Sequence, residues 1–459
     1  MIQKTIHKSY KFKVSPTIEQ VALFEQWFGC RRFVYNKCAN IQIDKLENKQ
    51  KMLSNFDLDK MITQWKANEA SFLSDTNSQA LQQTTKDVKR NVKKFFDDIK
   101  KGIIRKKVFN FKKKYDSIQS ISFPNYKNNS KFLNDKKVFK KAKKVYFQLP
   151  KCKTPLEVLK HRNWEGSIKN LTLSKSGDCY YLSIQTEQAI TIEDNKNIST
   201  IGIDAGVKKF VVTSQGEVFK PLNSFRKHEK QLAKLQRKLA KCVKKSKNFY
   251  RLKKRINKCH KIIAQVRKDY LHKISHYLVN NHATIYVEDL KINNMSKSAK
   301  GDEENHGKNV KQKSGLNKSI LDQGWSMFFN FIEYKQSWKN NHFNKVKPQF
   351  TSQECCLCKS KHKENRISQS KYVCNKCDNK INADLNASFN IEYRGYIKDG
   401  LSKDEAQEII NKKFHKTLTY ANPWAKEGKV LVKRKLKESL QVVDNTLSKT
   451  KLYGLQEAV

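Results

Sequence analysis

Polar and apolar residues alternate from Lys8 to Val14, a pattern that predicts a β-strand. Ser15-Pro16-Thr17 breaks it. Thr17 followed by Gln20 is a capping-box pattern, and Val21, Phe24, Phe28, Tyr35 and Cys38 keep an approximately helical spacing behind it. Two more helices are predicted, one carrying Leu58, Met61, Ile62 and Trp65, the other Leu81, Val88, Val92, Phe95 and Phe96. From about 103 to 190 the pattern turns to short β-like runs: Ser120 to Phe123, Lys144 to Leu149, Ile168 to Leu173, and Tyr180 to Gln185 after a Ser-Gly-Asp turn. A strand, a helical insert and further strands fit a small barrel interrupted by a helical domain. Two independent small domains fit as well.

The character changes near residue 199. Thr200 to Asp204 is a short buried strand, Phe210 to Thr213 returns, and Glu217 to Phe219 follows a Ser-Gln-Gly turn, a three-strand meander of the kind that opens an RNase H-like domain. Two long basic helices come next, split near Ser246 to Asn248. Leu232, Leu235, Leu239 and Cys242 mark the first seam; Leu252, Ile256, Cys259, Ile263, Val266, Tyr270, Ile274 and Tyr277 mark the second. Thr284 to Val287 is a fourth strand, ending in Glu288-Asp289. Residues Ser296 to Lys318 are polar and without periodicity, which predicts a mobile loop or a disordered insertion. A helix then carries Trp325, Phe328, Phe329, Ile332 and Tyr334. Ala383-Asp384-Leu385-Asn386 opens the last helix of this domain, and a further helix is expected near Asp404 to Phe414.

Composition narrows the class of partner. Of 459 residues, 94 are Lys or Arg and 43 are Asp or Glu, a formal charge of +51. Such an excess raises self-repulsion in the compact state, and a polyanion is the usual reason to carry it. The basic helical pair holds nineteen Lys and Arg against two acids, so its outer face is expected to be strongly cationic. No segment approaches ~18 consecutive apolar residues, so a membrane span is not expected. The start, MIQKTIHKSYKFKV, has no apolar stretch of the kind that directs secretion. Charge alone does not separate an enzyme from a ribosomal or chromatin protein.

Five of the 11 cysteines fall between 355 and 377; Cys30, Cys38, Cys152, Cys179, Cys242 and Cys259 are scattered and expected as small buried hydrophobes. Cys355-x-x-Cys358 and Cys374-x-x-Cys377 are separated by fifteen residues, a spacing that brings four thiolates to one tetrahedral, structural Zn²⁺ and leaves Cys356 over. Three acids stand at strand or helix ends. Asp204 follows Ile-Gly-Ile, Glu288 follows Ile-Tyr-Val, and Asp384 lies among small residues in Asn-Ala-Asp-Leu-Asn-Ala. A buried strand does not normally end in an unpaired carboxylate without a cation nearby. Three converging carboxylates suit Mg²⁺, and two such ions about 4 Å apart can activate water and stabilise a leaving 3′-oxygen.

With these motifs in place, the sequence resembles the TnpB family of transposon-encoded proteins, relatives of which include compact type V CRISPR effectors and Fanzor proteins. The matching stretches are Lys8-Ser-Tyr-Lys-Phe-Lys with Pro16-Thr17-x-Glu19-Gln20, Phe33-Val-Tyr-Asn36, Ile201-Gly-Ile-Asp-Ala-Gly206, Val287-Glu-Asp-Leu290, Gly324-Trp325, and Thr351-Ser-Gln-x-Cys355 through Cys377 to Ala383-Asp-Leu-Asn-Ala387. They cover most of residues 1 to 393. The resemblance implies a multidomain α+β chain: a small wedge β-barrel (1–16 and 103–196) with an inserted helical recognition domain (17–102), a RuvC-like α/β nuclease domain (197–350 and 381–394), an inserted zinc ribbon that binds target nucleic acid (351–380), and a basic tail (395–459). It also implies a guide RNA, a double-stranded DNA target cut beside a short adjacent motif, and the carry-over of Asp204, Glu288 and Asp384 as the catalytic, Mg²⁺-binding triad. Cys355, Cys358, Cys374 and Cys377 match the Zn²⁺ ligands. Gln79, Gln82 and Gln83 offer amides suited to bidentate contact with adenine, or simply to an exposed helix. A compact type V CRISPR effector is a close alternative, and a nuclease-silent RNA-guided DNA-binding repressor is one of a different class. Such a protein is expected in the cytoplasm or nucleoid of a prokaryote or the nucleus of a eukaryote. Whether it acts as monomer or homodimer stays open.

Overall fold

The computed structural model describes residues 2–102, 108–116, 118–124, 131–133, 143–192, 199–302 and 304–420. The expected tail beyond 420 and the middle of the 103–196 segment lie outside them. The chain divides into two compact units, Met1–Ile192 and Glu193–Val459.

In the first unit, strand β1 (Ile2–Val14) leads into helix α1 (Ile18–Glu47). The capping box forms as its spacing predicts: Gln20 N–H donates to Thr17 Oγ1 at 3.2 Å and Thr17 N–H to Gln20 Oε1 at 3.1 Å. Helices α2 (Asn55–Asn68) and α3 (Ser78–Lys100) follow. Val34, Tyr35, Cys38, Leu58, Ile62, Trp65, Leu73, Leu81 and Val88 form the core that these helices share. Strands β2 (Ile118–Phe123), β3 (Lys131–Leu133), β4 (Lys143–Gln148), β5 (Leu156–Lys160), β6 (Ser167–Ser176) and β7 (Cys179–Ile192) complete an antiparallel sheet of order β2-β6-β7-β1-β5-β4-β3. One strand, a helical insert and the remaining strands thus do belong to one sheet. Among the described residues β2 and β3 remain its two edges, so the expected barrel is found as an open sheet. Phe12, Ile121, Phe123, Phe147, Val158, Leu171, Leu182 and Ile184 bury its inner face, with Phe24, Trp27 and Phe28 of α1 in the same cluster.

In the second unit, β8 (Thr200–Asp204), β9 (Val211–Thr213) and β10 (Val218–Phe219) make the expected meander. The basic pair is α4 (Ser224–Ala240) and α5 (Lys247–Asn281), sealed by Leu232, Leu235, Leu252, Ile256, Cys259 and Ile263. Strand β11 (Thr284–Glu288) lies parallel to β8. After the short helix α6 (Ile292–Met295), helices α7 (Val310–Gln323) and α8 (Trp325–Trp338) lead to β12 (His342–Val346), which adds to β11 in parallel. The sheet order is β10-β9-β8-β11-β12, with Ile201, Ile203, Phe210, Ile285, Val287, Leu271, Phe328 and Ile332 in one core. A hairpin of β13 (Lys371–Val373) and β14 (Lys380–Asn382) carries the second cysteine pair, and α9 (Ala383–Lys398) and α10 (Lys403–Tyr420) close the described chain.

Two expectations need correction. Residues 310–318, expected as part of a mobile loop, belong to α7. That helix escapes periodicity because it buries little beyond Ile320, Asp322 and Gln323. Asp322 anchors it: its carboxylate accepts from the Phe225 amide at 3.0 Å, from Ser224 Oγ at 3.1 Å and from Arg267 Nη2 at 2.6 Å. It thereby caps α4, whose own N-cap residue Asn223 has a left-handed backbone and no side-chain cap bond. Secondly, the segment after 394 is more than an appended tail. Helix α9 runs to Lys398, and Ala406, Ile410 and Phe414 of α10 are buried in one cluster with Phe389 and Tyr393.

Candidate active site and metal centre

Strands β8 and β11 run side by side, with Thr284 opposite Thr200 and Val287 opposite Ile203. One residue further, Asp204 and Glu288 are the last residues of these two neighbouring strands. Side chains alternate along a strand, so Gly202 shares a face with Asp204 and Tyr286 with Glu288. Helix α9 crosses that face in direct backbone contact. A Cβ at Gly202 would come within 2.1 Å of the Ser388 carbonyl oxygen, and one at Gly395 within 2.2 Å of the Tyr286 ring. Both positions need glycine for close approach. Asn382 caps α9, accepting from the amides of Asp384 at 3.1 Å and Leu385 at 3.4 Å. Asp384 therefore occupies the first turn, where the helix dipole favours a carboxylate.

The three acids are neither exposed nor sealed. Burial pushes the Asp204 carboxyl up to about 8, and the charges of Glu288 and Asp384 add to the shift, while Arg366 and Lys209 oppose it. Burial likewise raises Glu288, with the Thr351 hydroxyl and the Arg394 charge pulling it partway back. Lys209 Nζ lies 3.2 Å from Asp384 Oδ2 and 3.1 Å from Asn382 Oδ1. Asp204 and Glu288 thus end neighbouring strands, and Asp384 starts the helix that packs against Gly202. They do not form a closed ligand set of the kind the cysteines form. Desolvated, like-charged carboxylates of this kind fit a hard divalent cation, which offsets the burial and the repulsion that together raise Asp204.

Beneath the acids, Glu392 is fully buried and accepts from Ser214 Oγ, Lys413 Nζ and, at 2.8 Å, the Tyr396 hydroxyl. Lys413 also donates to the Thr200 carbonyl. Helix α10 is in this way fastened to α9 and to β8.

The four predicted cysteines meet. Their sulfurs all lie within 4.8 Å of one another, the sole such group among the described residues. Cys355 and Cys377 are 3.7 Å apart, Cys358 and Cys374 3.5 Å. Zn–S bonds of about 2.3 Å at tetrahedral angles give sulfur separations of about 3.8 Å, whereas a disulfide needs about 2.05 Å. The thiol of Cys355 is held down to about 4, chiefly by its hydrogen bond with Cys356, while burial pushes Cys377 up to about 12. Thiolates so crowded ionise together only around a cation, so the set fits a tetrahedral metal ion. Cys356 is buried beside them, and its amide donates to Asn386 Oδ1 at 2.9 Å.

Gln79, Gln82 and Gln83 lie on α3, away from its buried face of Ala80, Leu81, Thr84, Thr85 and Val88; Gln82 is exposed and the other two half-buried. Sequence reasoning gave no role to Lys209, Arg366, Thr351, Arg394, Glu392 or Lys413. A usable signal existed for one group. Asn386, Asn390 and Arg394 form a polar row at intervals of four on a helix that is otherwise largely buried.

Among the described residues no helix is long and apolar enough to cross a membrane. Three family profiles match: "Probable transposase" over residues 183–299, "Cas12f1-like, TNB domain" over 325–391, and "Helix-turn-helix domain" over 1–51. Residues 2–47 in fact form one long strand and one thirty-residue helix. The chain is 38% identical to an Escherichia coli (strain K12) protein named as an RNA-guided DNA endonuclease, InsQ, over 85% of this chain and 92% of that one. It is 25% identical to a Streptomyces pristinaespiralis protein also named as an RNA-guided DNA endonuclease, over 85% of this chain and 90% of that one. A solved Cas12f1–sgRNA–target DNA complex aligns over 84% of this chain and 98% of that chain, at 19% identity and a TM-score of 0.30.

Proposed function

Because the chain belongs to the TnpB family of transposon-encoded RNA-guided DNA endonucleases, we propose that it cuts double-stranded DNA addressed by a bound guide RNA, using Asp204, Glu288 and Asp384 as a RuvC-type site. The observation that carries the reading is geometric: Asp204 and Glu288 end the adjacent parallel strands β8 and β11, and Asp384 opens the helix α9 that packs against Gly202 of β8. These three acids would hold Mg²⁺. When bound, such a cation supplies Lewis-acid stabilisation of the charge that develops on phosphate and makes water more acidic. The protein's own part is to hold the acids at two neighbouring strand ends and one helix start. Lys209 and Arg366 add positive charge beside them and favour the approach of a phosphodiester. Water attacks phosphorus, the bond to the 3′-oxygen breaks, and the products are a 5′-phosphate and a 3′-hydroxyl.

Cys355, Cys358, Cys374 and Cys377 would hold a structural Zn²⁺, since all four tetrahedral positions are filled by protein. The sheet and helices of the first unit would serve as wedge (1–16 and 103–196) and recognition domain (17–102), with Gln79, Gln82 and Gln83 of α3 contacting base edges. The surplus of positive charge suits a guide–target heteroduplex held by its backbone while base pairing supplies specificity. A protein of this activity works where the DNA is, in the cytoplasm or nucleoid of a prokaryotic host or the nucleus of a eukaryotic one. Retention of all three carboxylates argues against a nuclease-silent DNA binder. The test is Asp204→Ala in the guide-loaded protein. Cleavage should vanish while guide-dependent DNA binding survives; undiminished cutting would remove the site.

A further inference from the structure

Glu288 is held by a residue from the cysteine-bearing segment. Thr351, buried at 3% exposure, donates its hydroxyl to Glu288 Oε1. The same hydroxyl lies 3.0 Å from the Pro348 carbonyl, but one hydroxyl has one proton to give. The carboxylate is the stronger acceptor. Thr351 stands four residues before Cys355, and its own carbonyl accepts from Asn390 Nδ2 at 3.0 Å. Asn390 also donates to the Glu354 carbonyl at 2.7 Å, and Asn386 donates to that carbonyl at 2.8 Å. Arg394 Nη2 reaches the Glu354 carboxylate at 2.6 Å, and its Nη1 reaches the carbonyls of Lys347 and Gln349 at 2.9 and 2.6 Å. Asn386, Asn390 and Arg394 follow one another along α9 at intervals of four, starting two residues after Asp384. The segment that enters the thiolate cluster is therefore bolted along α9 and gripped to Glu288 at the same place.

We propose that Thr351 is a positioning residue for cation binding. It fixes the Glu288 carboxylate, and Asn386, Asn390 and Arg394, which tie residues 347–356 to α9, make the cysteine-bearing segment a brace for Asp384 and Glu288 together. The inference rests on the reading of the three acids as cation ligands. It assigns the cysteine segment a task separate from touching nucleic acid.

Groups that orient a metal-ligating carboxylate are worth about 10–100-fold in metal affinity. The test uses the full guide-loaded chain as wild type, Thr351→Val, Thr351→Ser and Asp204→Ala. Mn²⁺ binding without DNA is followed by electron paramagnetic resonance of the free ion. Cleavage is followed against Mg²⁺ concentration, and zinc content and melting temperature are measured for each variant. Thr351→Val should weaken Mn²⁺ binding at least ~10-fold and shift half-saturating Mg²⁺ upward by a similar factor, with zinc content and guide-dependent DNA binding retained. Thr351→Ser, which keeps the donor, should recover most of the affinity. Should Thr351→Val lose zinc, Thr351→Ala is read in its place. Unchanged Mn²⁺ affinity in the hydroxyl-free variant, or a Thr351→Ser defect as large as that of Thr351→Val, overturns the proposal. Cleavage-competent Asp204→Ala would instead overturn the reading of the acids beneath it.

Discussion

The sharpest structural demand on the site falls on Gly202, and it can be tested with one methyl group. In Gly202→Ala the new Cβ would lie 2.1 Å from the Ser388 carbonyl oxygen, 2.6 Å from the Glu392 nitrogen and 2.9 Å from Glu392 Cβ. Ordinary contact begins at 3.4 Å, so α9 has to retreat from β8 by about 1.3 Å at that point. The obstacle is backbone, not the end of a flexible side chain. Overpacking of this kind costs about 1–3 kcal/mol, which lowers a melting temperature by a few degrees and leaves the chain folded. The effect on catalysis should be larger, because Asp384 rides on the displaced helix one turn before Ser388 while Asp204 stays with the strand. A misplacement of about 1 Å costs on the order of 10²-fold in rate. The assay is single-turnover cleavage of a matched DNA by guide-loaded protein at saturating Mg²⁺, with a melting curve alongside. A variant that cuts at the wild-type rate while fully folded would refute the claim that helix and strand meet there to align the acids.

Other consequences are as direct. With divalent ions chelated, the folded chain holds the Asp204 proton up to about pH 8, against 3.8 for an ordinary aspartate, so the unfolded state binds fewer protons between those values. The contribution of Asp204 to stability should be full below about pH 4 and be lost as pH rises toward about 8, and Asp204→Asn should remove that part of the slope in thermal melts. Lys413→Met strands the fully buried Glu392 carboxylate and should cost about 3–5 kcal/mol by chemical denaturation. The double variant Lys413→Met/Glu392→Gln should recover part of that loss, and equal losses would disprove the pairing. Replacing the exposed Arg251, Lys253 and Lys258 of α5 by Gln should lower the salt slope of duplex binding by up to about 0.9 for each phosphate that is no longer neutralised. An unchanged slope places that face away from the nucleic-acid backbone.

Strand ends were the easiest features to find in the sequence. Asp204 and Glu288 interrupt apolar runs, and the cost of a carboxylate in such a place singles them out before any coordinates. The four cysteines were equally legible, because a metal constrains their spacing. Helix α7 was not, since its hold on the domain is a single buried carboxylate, Asp322, bonded to another helix's amides and to Arg267. No periodic pattern records a bond of that sort. Strand β12 was missed for a related reason. His-Phe-Asn-Lys-Val sits at a sheet edge with only Val346 well buried, so it shows little alternation. Thr351 and Lys413 were invisible because their partners, Glu288 and Glu392, are 63 and 21 positions away.

The buried anchor at Lys413 bears on how far this molecule can be shortened. The matched TNB domain ends at residue 391, and a designer trimming cargo for a size-limited vector could cut soon after it. Such a truncation would strip the ammonium from Glu392, the Phe414 ring from Phe389, and the Thr417 hydroxyl from the Ser214 carbonyl, 3.4 Å away. The smallest working version should therefore extend at least through Thr417.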